Sequence, residues 1–424
     1  MENRSFVSIA EKYFSRFPTR NTLLPDNNNN KKLDLVVVVP SYFEKDLLLS
    51  IQSLLNNKLK SDIYVQFIVV INHSVDESTE IVNYSKSQYE ELLEFSQQID
   101  IQKFGLIPLY IDDMDAKHAG VGWARKIGMD AALNRFLQVG FDGVIVGFDA
   151  DSKVQNNYLQ SIHDFFSKTD YGGASIHFEH PIEGSQFDDQ HYQYIQCYEL
   201  YLRYYKNALS YAGFPFAFHT VGSSFAVKAS AYAKQGGMNR RKAGEDFYFI
   251  NKIIKGEKYG EINDACVIPS PRVSDRVPFG TGRAMLEAIN GQNDLFSTYD
   301  FRIFKSLKEW IDMIKENRMN YDEFPMYVQS FINTHEWDNI LLELEKNSNS
   351  RKSFMKRFFH RFDAFWVLKM VHYCRDHFII NTPLVDNVNQ LFNQMGQPSI
   401  MTIKEQLLLL RIIDKKKGAK SPFK

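Results

Sequence analysis

The sequence predicts an α/β fold: a Rossmann-like, mixed and mainly parallel sheet with helices on both faces, followed by a helical C-terminal domain. Three observations predict it. Short apolar, β-branched runs alternate with helical periodicity from Leu33 to about residue 290. After that point the strand signals fade and helical spacing takes over. The composition of the 424 residues, 44% hydrophobic and 24% charged, supplies a sizeable core and a soluble surface.

The elements follow in order. Phe6, Ile9, Tyr13 and Phe17 at helical spacing predict an amphipathic helix over residues 1 to about 20, and Pro25-Asp26 with Asn27 to Asn30 reads as a linker. Leu35 to Val39 is a continuous apolar run, the pattern of a strand buried on both faces. A helix with Leu47, Leu48, Ile51, Leu54 and Leu55 on one stripe comes next, then a second buried strand from Phe67 to Ile71. A helix through Tyr84 and Leu92, a short strand near Leu109 to Ile111, a helix from Gly120 to Phe136 and a strand from Val144 to Phe148 continue the alternation. In such sheets ligands bind at the carboxyl ends of the strands. The expected domains are thus an N-terminal helix and linker over 1–32, the α/β domain over 33–290 and a helical domain over 291–424.

Fifty Lys and Arg against 51 Asp and Glu leave a net charge of -1, no global electrostatic case for nucleic acid. Cys197, Cys266 and Cys374 lie far apart and read as unpaired thiols of a reducing compartment. The charged N-terminus lacks the apolar stretch of a signal peptide, and no window approaches the roughly 18 apolar residues of a membrane span. The expected location is cytoplasmic, with surface attachment to a membrane open. Residues 351–378 interleave Lys356, Arg357, Arg361 and Lys369 with Phe358, Phe362, Phe365 and Trp366, which fits either a helix on an anionic membrane or an amphipathic helix packed in the C-terminal domain.

Two acidic motifs carry the chemistry. Asp149-Ala150-Asp151 directly follows a buried strand, and an extended exit sends residues i and i+2 to one side. The two carboxylates can converge on a hard divalent cation that bridges phosphates, or can simply form a solvated acidic turn. Gly244-Glu245-Asp246 opens an apolar-periodic helix, where a carboxylate either complements the helix dipole or stands rigidly aimed as a general base. The exit of the first strand, Pro40-Ser41-Tyr42-Phe43-Glu44, lacks a glycine-rich phosphate loop; Tyr42 can stack on a base and Glu44 can hold ribose hydroxyls, or the segment is a turn before a helix. His177, His180, His191 and His219 can be set at metal-site spacing but read better as hydrogen-bonded or surface residues, and the tyrosines from Tyr192 to Tyr205 as helix core or a sugar platform.

Five segments, VVVVPSYFEKDLLLSIQSL, VVINHSVDEST, GVGWARKIGMDAAL, GVIVGFDADS and VGSSFAVKASAYAKQGGMNRRKAGEDFYF, together resemble glycosyltransferase family 2, bacterial-type, of the GT-A fold, over roughly residues 33 to 285. The resemblance implies a nucleotide-sugar donor, Mn2+ or Mg2+, and inversion at the anomeric carbon. It implies that Pro40, Tyr42 and Glu44 cup the nucleoside, that Asn72 stands where many members have a uracil-reading Asp, and that Asp76 caps the following helix. It further implies that Arg125 faces the diphosphate, with Lys117 a second candidate, and that Asp149 and Asp151 are the metal motif. Gly222, Ser223 and Ser224 match the acceptor side, and Asp246 matches the catalytic base with Glu245 beside it. Two departures stand out. No His lies between Asp246 and His335 to complete the metal, which leaves Asp275, the diphosphate itself, or Arg276 and Arg283 to finish the neutralisation. The Gln and Trp of the Q-x-x-R-W element of processive members are absent around Arg283.

The expected activity is an inverting transfer of sugar from a nucleotide-diphosphate sugar, UDP first, to a hydroxyl of a glycan or lipid-linked acceptor in surface polysaccharide or glycolipid synthesis. The alternatives are a sugar-nucleotide nucleotidyltransferase, which would need a basic glycine-rich loop after the first strand, and a degenerate glycan-binding or scaffold domain.

Overall fold

The computed structural model describes residues 2–18, 33–60, 62–117, 119–241 and 244–416. The Asn-rich linker and the end of the basic tail lie outside the described residues. The chain divides into two compact units, one of Met1–Pro181 with Thr220–Arg283, the other of Ile182–His219 with Ala284–Lys424.

The first unit holds the sheet. Its strands are β1 (Leu35–Ser41), β2 (Val65–Ser74), β3 (Phe104–Met114), β4 (Val144–Gly147), β5 (Lys153–Val154), β6 (Gly173–Phe178), β7 (Phe225–Lys228) and β8 (Tyr259–Ile268). Their order is β3-β2-β1-β4-β7-β6-β8-β5. The pairs β1–β2, β2–β3, β1–β4 and β6–β8 are parallel. Strand β7 runs antiparallel to both neighbours, β4 and β6, so the carboxyl ends of β1, β2, β4, β6 and β8 share one edge. This is the mixed, mainly parallel α/β sheet that the alternation predicts.

Central β1 is buried along its whole length, which explains its unbroken apolar run. Pro40 sits inside it without cost. The Val38 carbonyl accepts from Phe148 N–H, so even-numbered residues of β1 face β4, and pairing to β4 stops at Val38. The amide hydrogen that proline lacks would have met no partner. Strand β3 is longer than the expected 109–111, because its outward positions, Asp112 and Asp113 among them, are exposed at the sheet edge and interrupt the apolar signal.

The helices in chain order begin with α1 (Glu2–Arg16), α2 (Leu47–Leu55), α3 (Thr79–Ser96), α4 (Val121–Val139), α5 (Tyr158–Lys168), α6 (Asp189–Tyr211), α7 (Ala229–Lys234) and α8 (Glu245–Gly256). Helix α1 packs on α4 and α7 through Phe6, Ala10 and Tyr13, whose hydroxyl donates to Asp130 at 2.7 Å; Phe17, expected on the same stripe, is 41% exposed. The N-cap of α3 is Ser78, which accepts from Ile81 N–H, and Asp76 lies exposed before it, so the cap expected at Asp76 falls to serine.

The second unit is helical. It contains α6 and the helices α9 (Thr281–Ile289, which begins in the first unit), α10 (Phe301–Lys315), α11 (Met326–Asn333), α12 (Trp337–Lys346), α13 (Arg351–Arg361), α14 (Ala364–His377), α15 (Leu384–Gln394) and α16 (Ile403–Lys416). The stretch 351–378 is two helices, because Asp363 caps α14 by accepting from Phe365 and Trp366 N–H at 3.1 and 3.3 Å. Its aromatic face is covered: Phe358 and Phe362 lie buried against Trp310, with ring centroids 5.4 and 5.0 Å away. The basic residues Lys356, Arg357, Arg361 and Lys369 remain exposed. Tyr192 and Tyr204 of α6 are core residues of this unit. A buried ion cluster binds α6 to α16, with Glu199 accepting from Arg203 and Arg411, and Asp414 accepting from Arg203 at 2.6 Å. No helix among the described residues is long and apolar enough to cross a membrane.

Candidate active site

Strand β4 ends with Phe148 N–H on the Val38 carbonyl, and the chain then turns, Ser152 N–H closing on the Asp149 carbonyl at 3.0 Å. The Ser50 hydroxyl of α2 donates to the Ala150 carbonyl at 2.7 Å, and the Ala150 methyl is buried, so the middle of the motif is an anchor between two displayed acids. The turn replaces the extended exit expected from sequence. Asp149 and Asp151 therefore engage different arginines instead of converging on one side.

Arg125, in the first turns of α4, takes Asp149. Its Nη2 donates to Asp149 Oδ1 at 2.5 Å and its Nη1 donates to Glu245 Oε1, with the arginine side chain 2% exposed and the glutamate 4%. Among the described residues its Nε has no hydrogen-bond partner. Asp246 stands beside Glu245 at the start of α8, and its Oδ1 accepts its own helix's Phe247 N–H at 2.7 Å. The helix opens on Gly244 in the left-handed region, φ 68°, a conformation that strains any residue with a Cβ. Gly222 seals the group: a Cβ there would lie 2.8 Å from Arg125 Nη1 and 3.1 Å from Asp246 Oδ2. Three carboxylates thus surround one guanidinium. Burial pushes both Glu245 and Asp246 above the usual carboxylate range, Arg125 pulls both down, and Asp149 adds repulsion.

A second cluster gathers where β8 exits. Arg272 Nε donates to Asp151 Oδ2 at 2.9 Å and its Nη2 donates to Glu44 Oε2. Arg276 Nη1 donates to the same Glu44 oxygen at 3.1 Å and its Nη2 to the Phe43 carbonyl at 3.0 Å, while its guanidinium lies 5.9 Å from the centre of the Tyr42 ring. Burial pushes Asp151 up to about 6, with Arg272 opposing and the Asp149 and Glu44 carboxylates reinforcing. The Tyr42 hydroxyl donates to Glu77 at 2.9 Å, and burial together with that carboxylate pushes it up to about 12.

The remaining expected residues divide. Asn72 is buried at the end of β2, its amide on Met114 Sδ at 3.6 Å. Ser223 and Ser224 are buried at the entry to β7, their hydroxyls 3.3 Å apart. Arg283 lies on α9, and Asp275 and Lys117 are exposed. Sequence reading singled out Arg276 and passed over Arg272, whose flanking signal was the rigid Pro269-Ser270-Pro271. Asp149, Asp151 and Glu44 are hard oxygen donors, but each is paired with an arginine, Asp149 with Arg125 and the other two with Arg272 and Arg276, and they do not gather their ligand atoms into one group.

No protein-family model matches the chain, and no curated protein matches it. Solved structures of similar shape include residues 1–349 of S. aureus TarS with UDP-GlcNAc, at 11% identity, covering 87% of this chain and 94% of that one, with a TM-score of 0.38. GalNAc-T7 with UDP, GalNAc and Mn2+ aligns at 12% identity over 84% of this chain and 61% of that one, with a TM-score of 0.37. Likenesses this distant carry no argument about the chemistry of the site.

Proposed function

We propose that the chain is a nucleotide-sugar-dependent glycosyltransferase of the GT-A type with family 2 chemistry, inverting and metal-dependent. The single observation behind this reading is the meeting of Asp149, Glu245, Asp246 and Gly222 around Arg125, at the strand-end edge where open α/β sheets bind ligands. The donor's base lies by Tyr42 and Asn72, and its diphosphate lies among Arg125, Arg272 and Arg276, with Arg283 a further contact. Asp246 Oδ2, the oxygen not engaged by Phe247 N–H, accepts the proton of an acceptor hydroxyl held near Gly222, Ser223 and Ser224. The hydroxyl oxygen bonds to the anomeric carbon as the opposite bond to the diphosphate breaks, and the nucleoside diphosphate leaves with that electron pair. Negative charge grows on the leaving group, so fixed guanidinium groups favour the transition state over the bound donor. Mn2+ or Mg2+ arriving with the donor, with Asp149 and Asp151 turned from their arginines to hold it, would supply Lewis-acid stabilisation of the same charge.

The catalytic region is the sheet-bearing unit within 33–290, residues 33–181 with 220–283, and the helical unit of 182–219 with 284–424 is its companion. The three cysteines are buried thiols outside any disulfide, which supports a reducing, cytoplasmic location. The exposed basic face of α13 supports peripheral contact with a surface bearing lipid-linked acceptors in polysaccharide or glycolipid synthesis. A donor-hydrolysis screen with UDP-, GDP- and dTDP-sugars plus Mn2+ tests the reading. Hydrolysis of one donor, lost in Asp246→Asn, is expected; silence across the panel together with no nucleotide binding by calorimetry would sink it.

A further inference from the structure

Strands β6 and β8 pair in parallel from Gly173 with Tyr259 to Ile176 with Ile262, and the next rung is Phe178 with Val267. Two steps on β6 thus face five on β8, and the extra residues bulge out. The bulge returns Cys266 to the side of His177, and Glu179 follows His177 on the same side of the chain. The His177 imidazole nitrogen Nε2 lies 2.9 Å from Glu179 Oε1, and one ligand atom from each of His177, Glu179 and Cys266 falls within 4.8 Å of the others. Among the described residues, no other group of three His, Cys, Asp or Glu converges in this way. The backbone is pinned on both sides: Gln155 N–H donates to the Cys266 carbonyl at 3.1 Å, and Glu179 N–H donates to the Val267 carbonyl at 2.9 Å. His177 and Cys266 are buried, whereas the Glu179 side chain is 24% exposed, which opens the cluster to solvent on one side.

We propose that His177, Glu179 and Cys266 form a second metal centre, a three-ligand Zn2+ site with solvent in the fourth position. A thiolate, an imidazole and a carboxylate are the donors that Zn2+ takes, and soft sulfur with nitrogen disfavours the Mg2+ or Mn2+ that oxygen-only sites select. Binding releases the thiol proton to solvent and forms one metal–sulfur, one metal–nitrogen and one metal–oxygen bond, with no change of oxidation state. The site lies where β8 gives way to the segment carrying Arg272 and Arg276, so the ion fixes the bulge from which that segment departs. The proposal stands independently of the transferase reading.

The test uses the full chain, stripped with a chelator and titrated with Co2+ and then Zn2+. One equivalent of Co2+ is expected to give a thiolate-to-metal charge-transfer band, which Zn2+ displaces. Cys266→Ser and His177→Ala abolish the band, while Cys197→Ser, Cys374→Ser and Asp151→Asn leave it in place. No band in the parent protein, or a band that survives Cys266→Ser, overturns the assignment. Should the buried substitutions fail to fold by circular dichroism, Glu179→Gln decides: Zn2+ affinity falls by at least about tenfold with the spectrum of the metal-free protein unchanged. Unchanged affinity in that variant also overturns the site.

Discussion

Arg125 Nη2 donates to Asp149 Oδ1 across 2.5 Å, joining the first turns of helix α4 to the turn that closes strand β4. The same guanidinium holds Glu245 at the start of α8, so one buried cation sets the positions of two acidic motifs that are far apart in sequence. Removing it strands buried charge. Arg125→Ala is expected to cost about 3–5 kcal/mol of stability, measured by denaturant unfolding. Arg125→Lys keeps a positive charge but loses the fork that reaches both partners, so it folds more stably than the alanine variant and still turns over poorly. Equal stability of the two variants would remove Arg125 from this role.

Asp246→Asn separates chemistry from binding. Turnover falls by about 10² to 10⁴, the worth of a general base, while nucleotide affinity by calorimetry is unchanged. The variant also carries a stability signature. Burial raises Asp246 above its ordinary value in the folded state, so the stability this group contributes is fully present below the unfolded pKa and is lost as pH rises through the folded one. The asparagine variant escapes that loss. Its melting temperature matches the parent in acid below the unfolded pKa and exceeds it at higher pH, and the parent's kcat/KM rises with pH as the base ionises.

Gly222→Ala places a methyl carbon 2.8 Å from Arg125 Nη1. A surface arginine would swing away at little expense, but this one is held by two carboxylates. We expect the melting temperature to move by a few degrees and turnover to fall at least tenfold, because the displaced guanidinium no longer faces the diphosphate. Wild-type turnover in this variant would show that the close approach at Gly222 is unrelated to catalysis.

Arg272→Ala removes the arginine partner of Asp151 and leaves Glu44 to Arg276 alone. If the guanidinium meets the diphosphate, nucleotide Kd rises by roughly tenfold to a hundredfold, the worth of about 1.5–3 kcal/mol for a charged hydrogen bond. Arg276→Ala, at a more exposed position, produces a smaller rise in the same calorimetric titration. A larger effect at Arg276 would reverse the two assignments.

Much of the fold was legible because burial writes itself into composition. Strand β1 has solvent on neither face and reads as Leu35 to Val39 without interruption. Strands β6, β7 and β8 were not read: Gly173–Phe178 mixes serine and histidine into its buried positions, and Phe225–Lys228 is too short to show a period. The candidate site was legible at its motifs, since Asp149-Ala150-Asp151 and Glu245-Asp246 sit beside clear element boundaries. Its pairing was not. Which acid meets Arg125 and which meets Arg272 depends on a turn after Gly147 that the sequence pattern rendered as extended chain. The cluster of His177, Glu179 and Cys266 lay beyond spacing arguments altogether, because a bulge in β8 brings the thiol back to a histidine far earlier in the chain.

Strand β7 carries a consequence for biosynthesis. It is the strand that bonds to both β4 and β6, yet the chain completes both, and then Ile182–His219 of the other unit, before β7 is made. While the ribosome is still adding those residues, β4 is an apolar edge with unclaimed amides and carbonyls, open to neighbouring nascent chains. Slow translation across 182–219 would lengthen that exposure, so the yield of folded protein should depend on codon choice there more than elsewhere.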